Sequence, residues 1–166
     1  MVKVEILQQK GFNFLYIDDY LWMWDIPQEV EDQKSIADNA YGDVLVAGYG
    51  LGVVQRYLVA NPQVSSVVTV ETIDEVIQAC EKVYGVIHGD VVIGDFYDFD
   101  SPRRFDCVLG DIWPDLGPQT VPEYVRFKEK AQSLLKNGGR VDGWGMDYME
   151  FLLQKNSQKA PNTCNI

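Results

Sequence analysis

Four places along the chain combine residue types and spacings that can do chemistry: Gly48-Tyr49-Gly50-Leu51-Gly52, Glu71-Thr72, Asp95-Phe96 and Asp111-Ile112-Trp113. The first lies between an apolar run, Val44 to Ala47, and a helix-forming segment, Val53 to Ala60. A strand that feeds a glycine turn and then a helix brings backbone N–H groups close to a nucleotide-type ligand. A Cβ at the turn would block both the backbone path and the ligand's approach. The spacing is G-x-G-x-G, whereas the dinucleotide fingerprint needs a glycine where Val53 stands. The turn therefore points away from NAD and towards an adenosyl ligand; the plain alternative is a tight turn that binds nothing.

Three of the four places carry a carboxylate. Glu71 follows the turn by about 20 residues, the spacing of a ribose-binding acid. An ionised carboxylate only accepts hydrogen bonds, so it suits a vicinal diol with two O–H donors; the alternative is a glutamate that caps the next helix. Asp95 is placed to accept from an adenine amino group while Phe96 lies against the ring, or else it closes a strand-end loop. Asp111 can take a proton from a nucleophile or hold a cationic amine, or it anchors its loop. Tyr49 and Trp113 offer ring faces to a sulfonium, with simple packing as the alternative for Trp113. His88 is the only histidine and sits in a glycine-containing turn, so chemistry that needs several histidines has no basis in this chain.

The elements that must position these residues are legible as periodicity. Val2, Val4 and Ile6 alternate with polar residues, Phe12 to Ile17 forms a second run, and Asp18-Asp19 reads as a tight turn. Tyr20, Trp22 and Trp24 share one face of a third run, with Leu21 and Met23 on the other, which predicts burial on both sides, a subunit interface or a substrate wall. Pro27 ends that run. Gln28 to Ala40 is predicted helical, with Glu29, Glu31, Asp32 and Asp38 as a solvated face.

From residue 43 strands and helices alternate. Val64 to Val70 is a strand closed by Glu71, and Ile73 to Tyr84 has helical spacing. Asp90 to Asp95 and Phe105 to Ile112 read as further strands. Pro122 opens a long helix with Tyr124, Phe127, Ala131, Leu134 and Leu135 inward, capped by Asn137-Gly138-Gly139. A fifth strand, Arg140 to Trp144, and a last helix, Met146 to Lys155, follow. Such alternation implies a parallel, doubly wound sheet whose ligand sits beyond the carboxyl ends of its strands. The expected organisation is N-terminal strands and a helix over residues 1–40, a nucleoside-binding core over 41–156, and a loosely held polar tail over 157–166.

The chain has 166 residues and a formal net charge of −11. That length suits one domain. The charge disfavours nucleic acid and anionic membranes, yet tolerates a small cationic ligand. Cys80, Cys107 and Cys164 are odd in number and form no CxxC, which argues against a disulfide framework or zinc site and for a reducing cytoplasm. No metal is expected, and no apolar run is long enough to span a bilayer.

The pattern from Asp43 to the last helix resembles the class I, Rossmann-like S-adenosylmethionine-dependent methyltransferases, and within them the spermidine synthase (polyamine aminopropyltransferase) branch. Asp43 to Gly52 is similar to that branch's glycine motif, Val67 to Ile77 to its second strand with the ribose acid, and Val91 to Asp95 to its adenine segment. Phe105-Asp-Cys-Val-Leu-Gly-Asp111-Ile-Trp-Pro-Asp-Leu-Gly-Pro118 resembles its fourth strand and active-site loop, with Asp111 in the place of the family's base. The chain departs at Leu51 and Pro114, where that branch carries aspartates, although Asp115 is adjacent to Pro114. Its amine-positioning tyrosine has no counterpart in residues 31–36.

The resemblance implies a Rossmann-like methyltransferase fold, mostly a parallel doubly wound sheet, preceded by antiparallel N-terminal strands. It also implies a sheet without the usual last strands, whose open edge the N-terminal strands or a second subunit would cover. The implied cofactor is S-adenosylmethionine or its decarboxylated form, bound by Gly48, Tyr49, Gly50, Gly52, Glu71, Thr72, Asp95 and Phe96. Asp111 would be catalytic, acting on a small acceptor that the sequence does not identify; the acidic charge allows that acceptor to be cationic, and the apolar N-terminal strands favour a homodimer. The expected activity is methyl transfer; the alternatives are aminopropyl transfer, or a nucleoside-binding or assembly domain without catalysis.

Overall fold

The computed structural model describes residues 1–113 and 115–159. The chain begins with three antiparallel strands, β1 (Val4–Gln9), β2 (Phe12–Ile17) and β3 (Tyr20–Trp24), in the order β1-β2-β3. Both connections are two-residue turns with positive φ at each central residue: 51° and 82° at Lys10 and Gly11, 48° and 64° at Asp18 and Asp19. This is the hairpin geometry whose twist matches the flanking strands. Asp18 accepts the backbone N–H of Lys3 at 2.9 Å, which ties the second turn to the residue before β1.

Helix α1 (Pro27–Asp38) starts with proline in its first turn, where the missing N–H has no helical partner to lose. The core then runs β4 (Gly42–Ala47), α2 (Val53–Ala60), β5 (Val64–Glu71), α3 (Asp74–Tyr84), β6 (Asp90–Ile93), β7 (Phe105–Gly110), α4 (Val121–Ser133), β8 (Leu135–Gly143) and α5 (Met146–Gln158). All core pairs are parallel and the order is β6-β5-β4-β7-β8. This is the Rossmann-like methyltransferase architecture that the sequence predicts. The strand order reverses between β4 and β7, where a crevice opens at the carboxyl ends.

Strand period sorts the core into two layers. Val44, Val46, Cys107 and Leu109 face Ala37 of α1 and Val54 and Leu58 of α2. Leu45, Ala47 and Val108 face Tyr124, Phe127 and Ala131 of α4 and Met149 and Leu152 of α5. The N-terminal sheet pairs with neither edge of the core sheet. It lies over the glycine turn and α3 instead, with Leu15, Ile17 and Met23 packed among Tyr49, Leu51, Val76 and Cys80. The expectation that it covers a sheet edge is thereby overturned.

Other boundaries also differ from the expected ones. Asn137-Gly138-Gly139 does not cap α4, which ends at Ser133; it forms a bulge inside β8, with Gly138 at φ 76° and a register shift between the Phe105 and Cys107 pairs. Strands β6 and β7 stop at Ile93 and Gly110, so Asp95 and Asp111 lie on loops just beyond them. Helix α5 continues past Lys155 to Gln158, and the rest of the expected tail, residues 160–166 with Pro161 and Cys164, lies outside the described residues. Among the described residues no helix is long and apolar enough to cross a membrane.

Candidate functional site

The crevice is built first from the turn after β4. Gly48, Gly50 and Gly52 have φ of 88°, 56° and 71°, a region that L side chains rarely adopt. The turn is braced from below. Gln55 of α2, fully buried, donates through Nε2 to the Gly48 carbonyl and to Thr69 Oγ1, each at 3.1 Å. The Cys80 thiol donates to the Gly50 carbonyl at 3.3 Å; burial, with the Glu71 carboxylate nearby, pushes that thiol up to about 12, so it is inert. From above, Met23 of β3 lies on Gly50, and its sulfur accepts the Leu51 N–H at 3.4 Å.

Glu71, the last residue of β5, is 7% exposed. Its Oε2 accepts the Tyr49 N–H at 2.8 Å and its Oε1 accepts the Ile73 N–H at 3.0 Å. The acid thus ties the glycine turn to the segment after β5. Each oxygen has two lone-pair sites, so capacity for a diol remains on both.

Asp111 stands across the crevice. Ala47 pairs with Gly110, and the Asp111 N–H donates to the Ala47 carbonyl at 3.3 Å. A Cβ at Gly48 would lie 3.3 Å from the Asp111 carbonyl oxygen. The Asp111 side chain receives Gln33 Nε2 on Oδ2 at 2.9 Å, and the same nitrogen donates to Glu29 Oε1 at 3.1 Å. Burial, reinforced by the Glu29 carboxylate and opposed by the Gln33 hydrogen bond, pushes Asp111 up to about 7. Burial, chiefly, raises Glu29 as well. Glu29 was expected on a solvated face; it points into the crevice instead, because Gln33 and Ala37, one and two turns further on, are the buried face of α1.

Two cavities flank this arrangement. One, of about 380 Å³, runs along Glu71, Thr72, Ile73 and Val76 beneath Leu15 and Trp22. The other, of about 230 Å³, is walled by Trp22, Trp24, Trp113 and Trp144 with Glu29 and Gln33. Both touch Trp22, Gly48, Gly50 and Asp111, so they meet at one point. Among the described residues no lysine, arginine or histidine lines either, whereas Glu29 and Asp111 line the smaller and Glu71 and Asp111 the larger.

The structure thus brings Gly48, Gly50, Glu71, Thr72 and Asp111 together around the crevice. Of the other expected residues, Tyr49 and Trp113, both buried, border the smaller cavity, and Asp95, Phe96 and Gly52 line neither of the two. Phe96 is 4% exposed and packs against Phe127, ring centroids 5.5 Å apart, inside the core. Asp95 is exposed and accepts the Tyr97 N–H at 2.8 Å; neither residue lines the two cavities. The Tyr49 ring is buried beneath Gly52, its hydroxyl accepting the His88 N–H at 3.2 Å, so it presents no face to a cation. Gly52 likewise caps α2 and lines neither of these two cavities. Trp113 is 2% exposed, donates to the Trp144 carbonyl at 3.1 Å and meets Tyr124 and Phe127 edge-on, which is the packing role.

Trp22 and Trp24 are 42% and 39% exposed, so the aromatic face of β3 is open and partly forms a cavity wall. Asp115 is spent on Thr120 Oγ1 at 2.6 Å, and Pro114 lies outside the described residues. Among the described residues no cluster of side chains is suited to hold a metal ion. Glu29 and Gln33 are the site residues that the sequence reading missed. The signal was the four-residue spacing Glu29, Gln33, Ala37, which sets two polar side chains on an otherwise inward stripe.

No protein-family model and no curated protein matches the chain. Solved structures share its fold. Spermidine synthase from Thermotoga maritima matches 95% of this chain and 60% of its own, at TM-score 0.63 and 14% identity. The DhpI–SAH complex matches 69% of this chain and 55% of its own, at TM-score 0.52 and 24% identity. An S-adenosylmethionine-dependent methyltransferase from Clostridium acetobutylicum ATCC 824 matches 69% and 49%, at TM-score 0.50 and 16% identity. The chain thus spans about half to three-fifths of these structures' lengths.

Proposed function

We propose that the chain binds S-adenosylmethionine and transfers its methyl group to a small, cationic acceptor. The observation that carries this reading is the junction of the two cavities at Gly48, Gly50 and Asp111, which gives donor and acceptor separate chambers and one meeting point. The larger cavity suits the nucleoside half. Glu71 keeps free lone pairs for a ribose diol, and Gly48 and Gly50 leave the cradle without side chains. The lack of a basic lining residue suits a sulfonium and disfavours a phosphate. Among the fold neighbours are an S-adenosylmethionine-dependent methyltransferase and complexes of DhpI with SAH and with SAM, which supports the same choice of cofactor.

The cofactor would supply an electrophilic methyl carbon on a positively charged sulfur. Displacement at such a carbon needs alignment and the exclusion of water more than it needs acid or base power. Trp22, shared by both chambers, and the buried Trp113 restrict water at the junction. Asp111, next to the Gly48 turn, orients the acceptor's N–H and takes its proton, and a carboxyl near 7 is matched to that task at neutral pH.

A second reading, aminopropyl transfer from the decarboxylated cofactor, draws support from the match to spermidine synthase, which extends over 95% of the chain and so takes in the N-terminal sheet. Calorimetric titration separates the two. Tighter binding of S-adenosylmethionine and S-adenosylhomocysteine than of decarboxylated S-adenosylmethionine supports methyl transfer. The reverse order supports aminopropyl transfer, and no binding of any of the three removes both.

A further inference from the structure

The smaller cavity contains an arrangement that goes beyond binding a nucleoside. Gln33 has two N–H hydrogens on Nε2, and each is used on a different carboxylate, Asp111 Oδ2 at 2.9 Å and Glu29 Oε1 at 3.1 Å. Gln33 is 2% exposed, so this amide is fixed between them. It is neutral, and it is the only donor that either carboxylate has from a side chain among the described residues.

The titratable surroundings are acidic throughout. On α1, Asp32 lies close enough to Glu29 to raise it further. From β3, residues 21–24 contribute no ionisable group. From the glycine turn, the Tyr49 hydroxyl points away to His88. From the segment after β8 comes Trp144 alone. Among the described residues no lysine, arginine or histidine lines the cavity. Glu29 and Asp111, both half-buried and held by one neutral amide with no basic residue in the described lining, each make it more costly for the other to carry charge. Trp22 and Trp24, the exposed tryptophans of the same wall, provide further surface on which a cation is favoured.

We propose that Glu29 and Asp111, joined through Gln33, form a two-carboxylate seat for an ammonium group, and that entry of the ammonium expels the proton the two carboxyls otherwise share. The proton leaves to solvent, the ammonium takes its place as counter-charge, and no bond to carbon changes in this step. Glu29 is thus a substrate-binding residue and Gln33 a positioning residue. The upward direction in which burial moves both carboxyls agrees with the pair holding a proton that an ammonium can displace. This rests on the smaller cavity being the acceptor chamber, yet it does not need the cofactor to be bound.

The test is isothermal calorimetry with n-butylamine and its uncharged counterpart 1-butanol at pH 6.5. Each is titrated in phosphate, ACES and imidazole buffers, whose ionisation heats differ, with and without S-adenosylhomocysteine. The amine is expected to bind at least about tenfold more tightly than the alcohol, with the buffer dependence showing release of close to one proton. Glu29→Gln keeps the shape and the Gln33 contact; it is expected to weaken the amine about tenfold and to reduce the proton release, since burial alone still raises Asp111. Its thermal midpoint, measured alongside, confirms that it folds.

Equal affinity for amine and alcohol, amine binding without proton release, or an unchanged Glu29→Gln variant overturns the seat. Failure of S-adenosylhomocysteine to bind while the amine binds overturns the cofactor reading and leaves the seat standing.

Discussion

Glu71→Ala separates the two tasks that one side chain performs. Its carboxylate is 7% exposed and accepts two backbone N–H groups, from Tyr49 at 2.8 Å and Ile73 at 3.0 Å. Hydrogen bonds to a charged acceptor contribute about 1.5–3 kcal/mol each, and orphaning their donors costs a similar amount. The bonds share an acceptor and are not additive, so a total loss of about 3 kcal/mol is expected. In a chain of this size that lowers the thermal midpoint by about 6–12 °C. This loss is present with no ligand at all, so weaker cofactor binding by the variant would not by itself establish a ribose contact.

A double cycle isolates that contact. The affinity of S-adenosylhomocysteine and of its 2′,3′-dideoxyribose analogue is measured by calorimetry for the natural protein and for Glu71→Ala. If the carboxylate holds the diol, loss of the hydroxyls costs the natural protein about 10- to 100-fold and costs the variant almost nothing further. An analogue penalty of the same size in both proteins refutes the ribose role. A thermal midpoint within about 2 °C of the natural protein refutes the bracing role.

Gly50→Val introduces a Cβ 2.5 Å from the Met23 sulfur at a φ of 56°, so binding of S-adenosylhomocysteine by calorimetry should fall at least about tenfold, with the thermal midpoint lowered by a few degrees. Asp111 and Glu29 have folded-state pKa values above their unfolded ones, so the folded protein holds the extra protons. Stability should therefore fall as pH rises from about 4 to about 7 and level off above; Asp111→Asn should flatten that profile in thermal melts across pH. The same titration predicts that transfer to the acceptor rises with pH to a plateau above about 7 in a pH–rate profile. Phe127→Ala, at 0% exposure and 5.2 Å from the Trp113 ring, should cost about 3–5 kcal/mol in denaturant unfolding.

The doubly wound core was legible because its strands are short apolar runs bounded by punctuation. Val44 to Ala47 ends at a glycine turn, and Val64 to Glu71 ends at an acid with a helix behind it. The bulge in β8 was not legible, since glycines after an inward apolar stripe are the same signal at a helix end and in a strand irregularity. Phe96 was misread because a ring just after a strand is equally placed for a ligand or for the core; a residue far along the chain, Phe127, decides it. Tyr49 was misread for the same reason, its ring being drawn inward by Val76 and Cys80 of α3. Glu29 and Gln33 escaped because polarity was taken as exposure, although their spacing with Ala37 already set them on the buried stripe.

The central claim is that the cavity between the glycine turn and Glu71 holds an adenosine moiety. Its most direct measurement is the electron density of a co-crystal grown with S-adenosylhomocysteine. The account predicts ribose hydroxyls within hydrogen-bond distance of Glu71 and the thioether sulfur turned towards the junction at Asp111. A nucleoside bound elsewhere, or that cavity without ligand density at saturating concentration, contradicts it.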